Sequence, residues 1–309
     1  MVGFGHLRRS LTLAHVLSDR VPVRMWVVCG HPDEGVDMRE HCGGVEVGAG
    51  PEPDFTSQLE ILDLEPEPMR VQLLRSAPST RRLSLDWFDP ALLPDMTINL
   101  FDRGGKMRSA YSAAGAPQRY FEGSECAIIH PSLCALRPEA PTRSADIGHV
   151  VVTQGGADPS RRTLDALADL RKHAPESVRS TVIVGPLVPA DYEAEIRRSA
   201  PPSSLVVRAP ENFAAILSTA NVVLCSGGGT LLESMCRGKV AVVYPQTPAE
   251  ENHALFHALA GACIMRGSMP EVMRSAALRN SLVAKAHQQV DGRGAERIAE
   301  AALRLLNQV

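Results

Sequence analysis

From residue 149 onward the apolar positions fall into short unbroken runs, separated by stretches that repeat with a helical period. His149–Thr153, Thr181–Val184, Leu205–Val207, Val222–Cys225 and Val240–Tyr244 are the runs; valine dominates them, and none alternates cleanly with polar residues. A strand that is apolar on both faces is covered on both faces, which points to a parallel sheet between layers of helices. Helical spacing fills the gaps over residues 162–172, 191–198, 213–219 and 230–236, with Val240–Tyr244 expected as the last strand and an amphipathic helix closing the chain over Gly294–Leu306. The first 145 residues follow the same alternation less regularly. Leu7, Leu11, Ala14, Val16 and Leu17 lie at helical spacing, Val23–Cys29 reads as a strand stopped by Gly30 and Pro32, and Arg82–Asp86 and Thr97–Asp102 read as short strands ending in a carboxylate. The Gly- and Pro-rich segment Gly43–Pro53 reads as loop, and Glu65–Pro68 breaks regular structure again. Pro131–Asp146, with Pro131, Pro138 and Pro141, reads as a connection between domains.

The expected organisation is therefore α/β throughout: an N-terminal domain over residues 1–145, a second α/β domain over 146–290, and a terminal helix within 291–309 that packs back on the first. A chain of 309 residues is comfortable for two cores. A net charge of −3 supplies no basic footprint for nucleic acid. No apolar run approaches the roughly 20 residues that span a bilayer, and the N-terminus has no signal-peptide pattern, so a cytoplasmic protein is expected. The seven cysteines contain no C-x-x-C pair; Cys29, Cys225, Cys236 and Cys263 stand among apolar residues and read as buried thiols.

Ligands of open parallel sheets bind beyond the carboxyl ends of the strands. Three glycine clusters fall at that edge. In Ser226-Gly227-Gly228-Gly229-Thr230 a strand runs into glycines and then directly into a helix, which brings unpaired N–H groups and the positive end of a dipole together, an arrangement suited to a diphosphate. A tight turn that binds nothing explains the same residues. Glu233, one turn further on, can accept from a ribose diol or merely complement the dipole. Gly155-Gly156-Ala157-Asp158-Pro159 is a second such turn, equally explained by Asp158 as a helix cap. The third cluster, Gly3-Phe4-Gly5, precedes His6 and Arg9; a histidine there can take a proton from water or a hydroxyl, although a lone histidine is more often structural. Asp86 and Asp102, both at strand ends, are either cleft residues or turn residues.

Taken together these motifs resemble a known family. Gly3-Phe4-Gly5-His6-Leu7-Arg8-Arg9-Ser10-Leu11-Thr12-Leu13-Ala14 resembles the G-x-G-H-x-x-R-x-L-x-L-A opening of the UDP-sugar hydrolases of pseudaminic acid biosynthesis and the related spore-coat polysaccharide proteins, with the lipid II-forming glycosyltransferases as further kin. Leu85-Asp86-Trp87, Phe101-Asp102, Gly123–Ile129 (with Cys126 where tyrosine is usual), Val152–Pro159, Ser226–Glu233, Glu251-Asn252-His253 (with His253 where glutamine is usual) and Asp291–Ile298 resemble that family's later motifs, in order.

The resemblance implies a GT-B architecture, two Rossmann-like domains facing across a cleft, with a nucleotide-diphosphate sugar as substrate and no cofactor or metal. It implies His6 as the base that activates water, with Arg9 and Asp86 as further catalytic candidates. Gly5, Gly155, Gly156, Asp158, Gly227, Gly228, Gly229, Thr230, Glu233 and Asn252 become the candidate nucleotide-sugar contacts. Hydrolysis of the anomeric bond, in amino- or deoxy-sugar or secondary-metabolite biosynthesis, is the leading expectation. Transfer to a soluble acceptor is the alternative, and a non-catalytic nucleotide-sugar binding protein the third.

Overall fold

The protein is described by a computed structural model over residues 4–28, 46–50, 57–63, 80–86, 94–100, 106–116, 119–141 and 146–307. Its contacts divide into two units. One is the contiguous stretch Ile129–Gly292, to which Phe4 and Gly5 are also assigned; the other joins His6–Ile128 to Arg293–Val309.

The split unit opens with α1 (Phe4–Ser18), so Gly5 lies inside a helix rather than in a turn before one. β1 (Arg24–Val28) pairs in parallel with β2 (Glu46–Gly50), Arg24 opposite Glu46 and Val28 opposite Gly50. β2 corrects the loop expected over Gly43–Pro53: ladder pairing with β1 outweighs the poor strand propensity of its glycines, and the Val47-x-Ala49 alternation suits a pleated ribbon. A second sheet holds β3 (Leu59–Leu62), β4 (Arg81–Leu85), β5 (Met96–Asn99) and β6 (Tyr120–Glu122), all parallel and in sequential order, with α2 (Lys106–Ala113) between the last two. Buried hydroxyls stitch it to α2: Ser84 Oγ lies 2.7 Å from Thr97 Oγ1, which lies 2.6 Å from the hydroxyl of Tyr111.

The contiguous unit begins with α3 (Pro131–Cys134), a helical turn inside the stretch expected to be plain connection, with Pro131 at its start and the ring of His130 accepting from Ser132 N. The α/β units follow: β7 (His149–Thr153), α4 (Arg162–His173), β8 (Arg179–Val184), α5 (Ala190–Ser199), β9 (Ser204–Arg208), α6 (Phe213–Thr219), β10 (Val222–Cys225), α7 (Gly229–Cys236) and β11 (Val240–Val243). α8 (Pro248–Leu259), β12 (Ile264–Met265), α9 (Met269–Arg274) and α10 (Ala276–Gln289) complete it, so β11 is not the last strand. The six strands are parallel in the order β12-β11-β10-β7-β8-β9. β10 is buried along its whole length, as its unbroken apolar run requires. The sheet is wound outward from β7 in one direction and from β10 in the other.

The last helix, α11 (Gly294–Leu306), belongs to the split unit. Its Ile298, Ala299, Ala302 and Leu305 complete a core with Leu13 and Leu17 of α1, Leu83 and Leu85 of β4, and Ile98. Gly294 permits the close approach; a Cβ there would stand 2.2 Å from the carbonyl oxygen of Ala127. Cys225, Cys236 and Cys263 are buried thiols, while Cys29 lies outside the described residues. Among the described residues no helix is long and apolar enough to cross a membrane.

Candidate functional site

In a doubly wound sheet the crevice opens where the winding reverses, outside the carboxyl ends of the two central strands. Here those strands are β7 and β10. β7 runs out into Gln154-Gly155-Gly156 and β10 into Ser226-Gly227-Gly228, so two of the glycine clusters singled out in the sequence sit side by side at the reversal.

The β10 turn is held from α8. The N–H of Gly227 donates to Glu250 Oε2 at 3.3 Å, and that oxygen also accepts from the N–H of Gln246 at 2.8 Å. The carbonyl of Gly227 accepts from Nδ1 of His253 at 2.6 Å. An added Cβ at Gly227 would stand 2.4 Å from the carbonyl oxygen of Glu250, so only glycine fits. Nε2 of His253 lies 3.1 Å from Nε2 of His257, whose Nδ1 lies 2.6 Å from Oε1 of Gln289. Burial keeps both rings neutral, pushing His253 down to about 4 and His257 below the usual histidine range. Burial also raises the carboxyl of Glu250, against the two N–H groups that hold its charge. Gly228 caps α7, and Gly229 and Thr230 form its first turn, whose amides have no partner within the helix by construction. Glu233 stands one turn in, partly buried.

A lattice of bonds closes over this turn from both neighbouring strands. Gln246, just past β11, sends Nε2 to the carbonyl of Gln154 at 2.7 Å, crossing the end of β10 to do so. Ser160 Oγ donates to the carbonyl of Gln246 at 2.9 Å, and Arg162 Nε to that of Pro245 at 3.1 Å. Gln154 is buried, yet both polar atoms of its side chain, and Oε1 of Gln246, have no hydrogen-bond partner among the described residues.

The β7 turn is different. Gly155 takes a positive φ of 79°. Asp158, itself at φ 48°, accepts from the N–H groups of Arg162 and Thr163 at 2.8 and 2.9 Å and from the hydroxyl of Tyr192 at 2.5 Å. Its carboxylate therefore holds the first two amides of α4, although the N-cap residue is Arg161 rather than the Asp158 expected from the sequence. Asn252 is exposed on α8; the helix engages the turn through Glu250 and His253 instead.

In the split unit, Arg9 on α1 meets two carboxylates. Its Nε and Nη2 donate to Asp63 at 2.7 and 2.5 Å and its Nη1 to Asp86 at 2.6 Å. Burial alone would lower the Arg9 guanidinium's pKa; the two carboxylates outweigh that, and the net shift is upward. Asp86, at φ 56° directly after β4, also accepts from the N–H of Leu100 at 2.6 Å. His6 lies in the first turn of α1, but its side chain is outside the described residues, as is Asp102. The sequence reading missed Gln154, Gln246, Glu250, His253 and Asp63. The one signal for the histidine pair was its i, i+4 spacing on a helix.

No protein-family model matches the chain. The spore coat polysaccharide biosynthesis protein SpsG of Bacillus subtilis is 27% identical over 207 residues, 63% of this chain; the match spans only 60% of that relative's own length. Solved structures resemble the whole chain. Spinosyn rhamnosyltransferase SpnG superposes with a TM-score of 0.59 at 15% identity, covering 99% of this chain and 97% of its own. HepE of Anabaena, in complex with UDP, gives 0.59 at 11% identity, covering 99% and 96%. MurG of Acinetobacter baumannii gives 0.50 at 13% identity, covering 98% and 97%. The fold is GT-B. Within this GT-B chain, the glycine turns of the sequence motifs lie at the winding reversal of the six-stranded sheet, and Arg9 and Asp86 form an ion pair in the other unit.

Proposed function

We propose that this protein is a glycosyltransferase that takes its sugar from a nucleoside-diphosphate donor, UDP being the nucleotide expected from the family resemblance. The observation that carries this reading is the position of Ser226–Thr230: a glycine turn at the winding reversal, opening directly into the N-terminus of α7. Amides and dipole there suit a diphosphate, and they would stabilise the charge that develops on it as the anomeric bond breaks. Glu233 is the acceptor for the ribose diol. By the family resemblance, His6 is the base that takes the proton of the attacking hydroxyl as that oxygen bonds to the anomeric carbon and the diphosphate leaves.

Transfer is preferred here to the hydrolysis expected from the opening motif. SpnG is named a rhamnosyltransferase, and HepE was solved with UDP and with UDP-glucose. The SpsG likeness fits either outcome, because its printed role is polysaccharide biosynthesis.

The test is a panel of nucleotide sugars, with and without candidate hydroxyl acceptors. Turnover that requires an acceptor supports transfer, turnover in water alone restores hydrolysis, and tight binding without turnover leaves a binding protein. Glu233→Ala is expected to weaken nucleotide binding by roughly 1.5–3 kcal/mol, read by calorimetry. His6→Ala is expected to cut turnover about 100-fold with donor affinity little changed.

A further inference from the structure

Burying a carboxamide without partners costs stability, so natural proteins rarely leave one. This protein leaves three carboxamide atoms in one place: Nε2 and Oε1 of Gln154 and Oε1 of Gln246 have no hydrogen-bond partner among the described residues. The two side chains come from the ends of β7 and β11, on either side of β10, and are tied together where Gln246 Nε2 reaches the carbonyl of Gln154. They therefore stand at the ends of the two strands that flank the glycine turn proposed above for the diphosphate.

The chemistry of the set selects its ligand. The bond to the Gln154 carbonyl fixes Nε2 of Gln246 as a donor, which fixes Oε1 as a waiting acceptor. Rotating the Gln154 amide exchanges one donor group with one acceptor and leaves the inventory unchanged. Two carbonyl oxygens and one NH2 group result. A phosphate offers only acceptors and would leave both oxygens facing negative charge. Vicinal hydroxyls donate and accept, and satisfy all three atoms. We infer that Gln154 and Gln246 read the hydroxyls of the donor sugar, while the backbone amides of the Ser226–Thr230 turn hold the diphosphate. This rests on the nucleotide-sugar reading and assigns its sugar subsite. Both side chains are long and unbranched, so they can turn toward a ligand without moving the strands.

The experiment measures two quantities on the full chain: affinities for UDP, UDP-glucose and UDP-N-acetylglucosamine by calorimetry, and the melting midpoint of the unliganded protein. Gln154→Met and Gln246→Met replace each carboxamide with an apolar group of similar length, and Gln154→Asn keeps the carboxamide on a shorter stem should the methionine variant not fold. The expected result is a loss of about tenfold or more in affinity for the UDP-sugar that the wild type binds best, UDP affinity within about twofold, and a Gln154→Met midpoint equal to or above wild type. Three results overturn the inference alone: equal losses for UDP and UDP-sugar, which would assign the amides to the nucleotide; unchanged UDP-sugar affinity with a lowered midpoint, which would make them framework; or wild-type protein that binds UDP and gains nothing from either sugar. Wild-type protein that binds none of the three ligands overturns the nucleotide-sugar reading itself, and the inference with it.

Discussion

The two units treat their buried polar groups in opposite ways. In the split unit, Arg9, Asp63 and Asp86 satisfy one another, and Asp86 also holds the N–H of Leu100. At the reversal of the six-stranded sheet, Gln154 is buried with its carboxamide unpartnered among the described residues, although every segment around it is tied down. A saturated cluster belongs to the frame; an unsaturated one lowers stability and persists where a ligand completes it. The contrast also separates the two turns at the reversal. Asp158 ties the β7 turn to the start of α4, whereas the β10 turn is held at Gly227 by Glu250 and His253 and runs directly into α7.

The largest expected effect comes from breaking the saturated cluster. Arg9→Met strands two buried carboxylates and should lower the unfolding free energy by about 3–5 kcal/mol, read from urea denaturation. A loss under 1 kcal/mol would mean that the triad does not hold the split unit together. Acid comes next. A free histidine titrates near 6.5, whereas burial holds His253 at about 4 in the folded chain. Between those values the unfolded chain takes up a proton that the folded chain refuses. Stability is therefore intact above about 6.5 and falls by roughly 3 kcal/mol as the pH drops toward 4, with His257 adding in the same direction. Urea midpoints at several pH values should show that slope, and His253→Gln should flatten it. The smallest effect belongs to the start of α4: Asp158→Ala removes the acceptor for two amides and a tyrosine hydroxyl, and should cost about 2 kcal/mol in thermal or urea unfolding while leaving UDP affinity nearly unchanged. A large drop in UDP affinity would return Asp158 to the ligand site.

The sequence carried the contiguous unit well because its central strands β7, β8, β10 and β11 are buried on both faces, unlike the edge strand β9. Its Val222–Cys225 and Phe213–Thr219, and Gly294–Leu306 of the split unit, have the bounds expected from the sequence. β2 was read as loop because glycine and proline dominate its surroundings, and β3 and β6 escaped because runs of three or four residues leave too little periodicity. Of the candidate site, the glycines were legible from strand-turn-helix order alone. The polar side chains around them were not: Glu250 and Gln246 act through folding of α8 back over β10, a tertiary contact with no local signature. Asp63 lies 54 residues from Arg9, and only the folded chain joins them.

The terminal helix has a consequence for how the protein is made. Ile298, Ala299, Ala302 and Leu305 sit in the core formed by residues near the start of the chain. On a ribosome that core stays open until α11 has been made and has cleared the exit tunnel. The contiguous unit needs no such wait, so the second half of the nascent chain can reach its native state before the first.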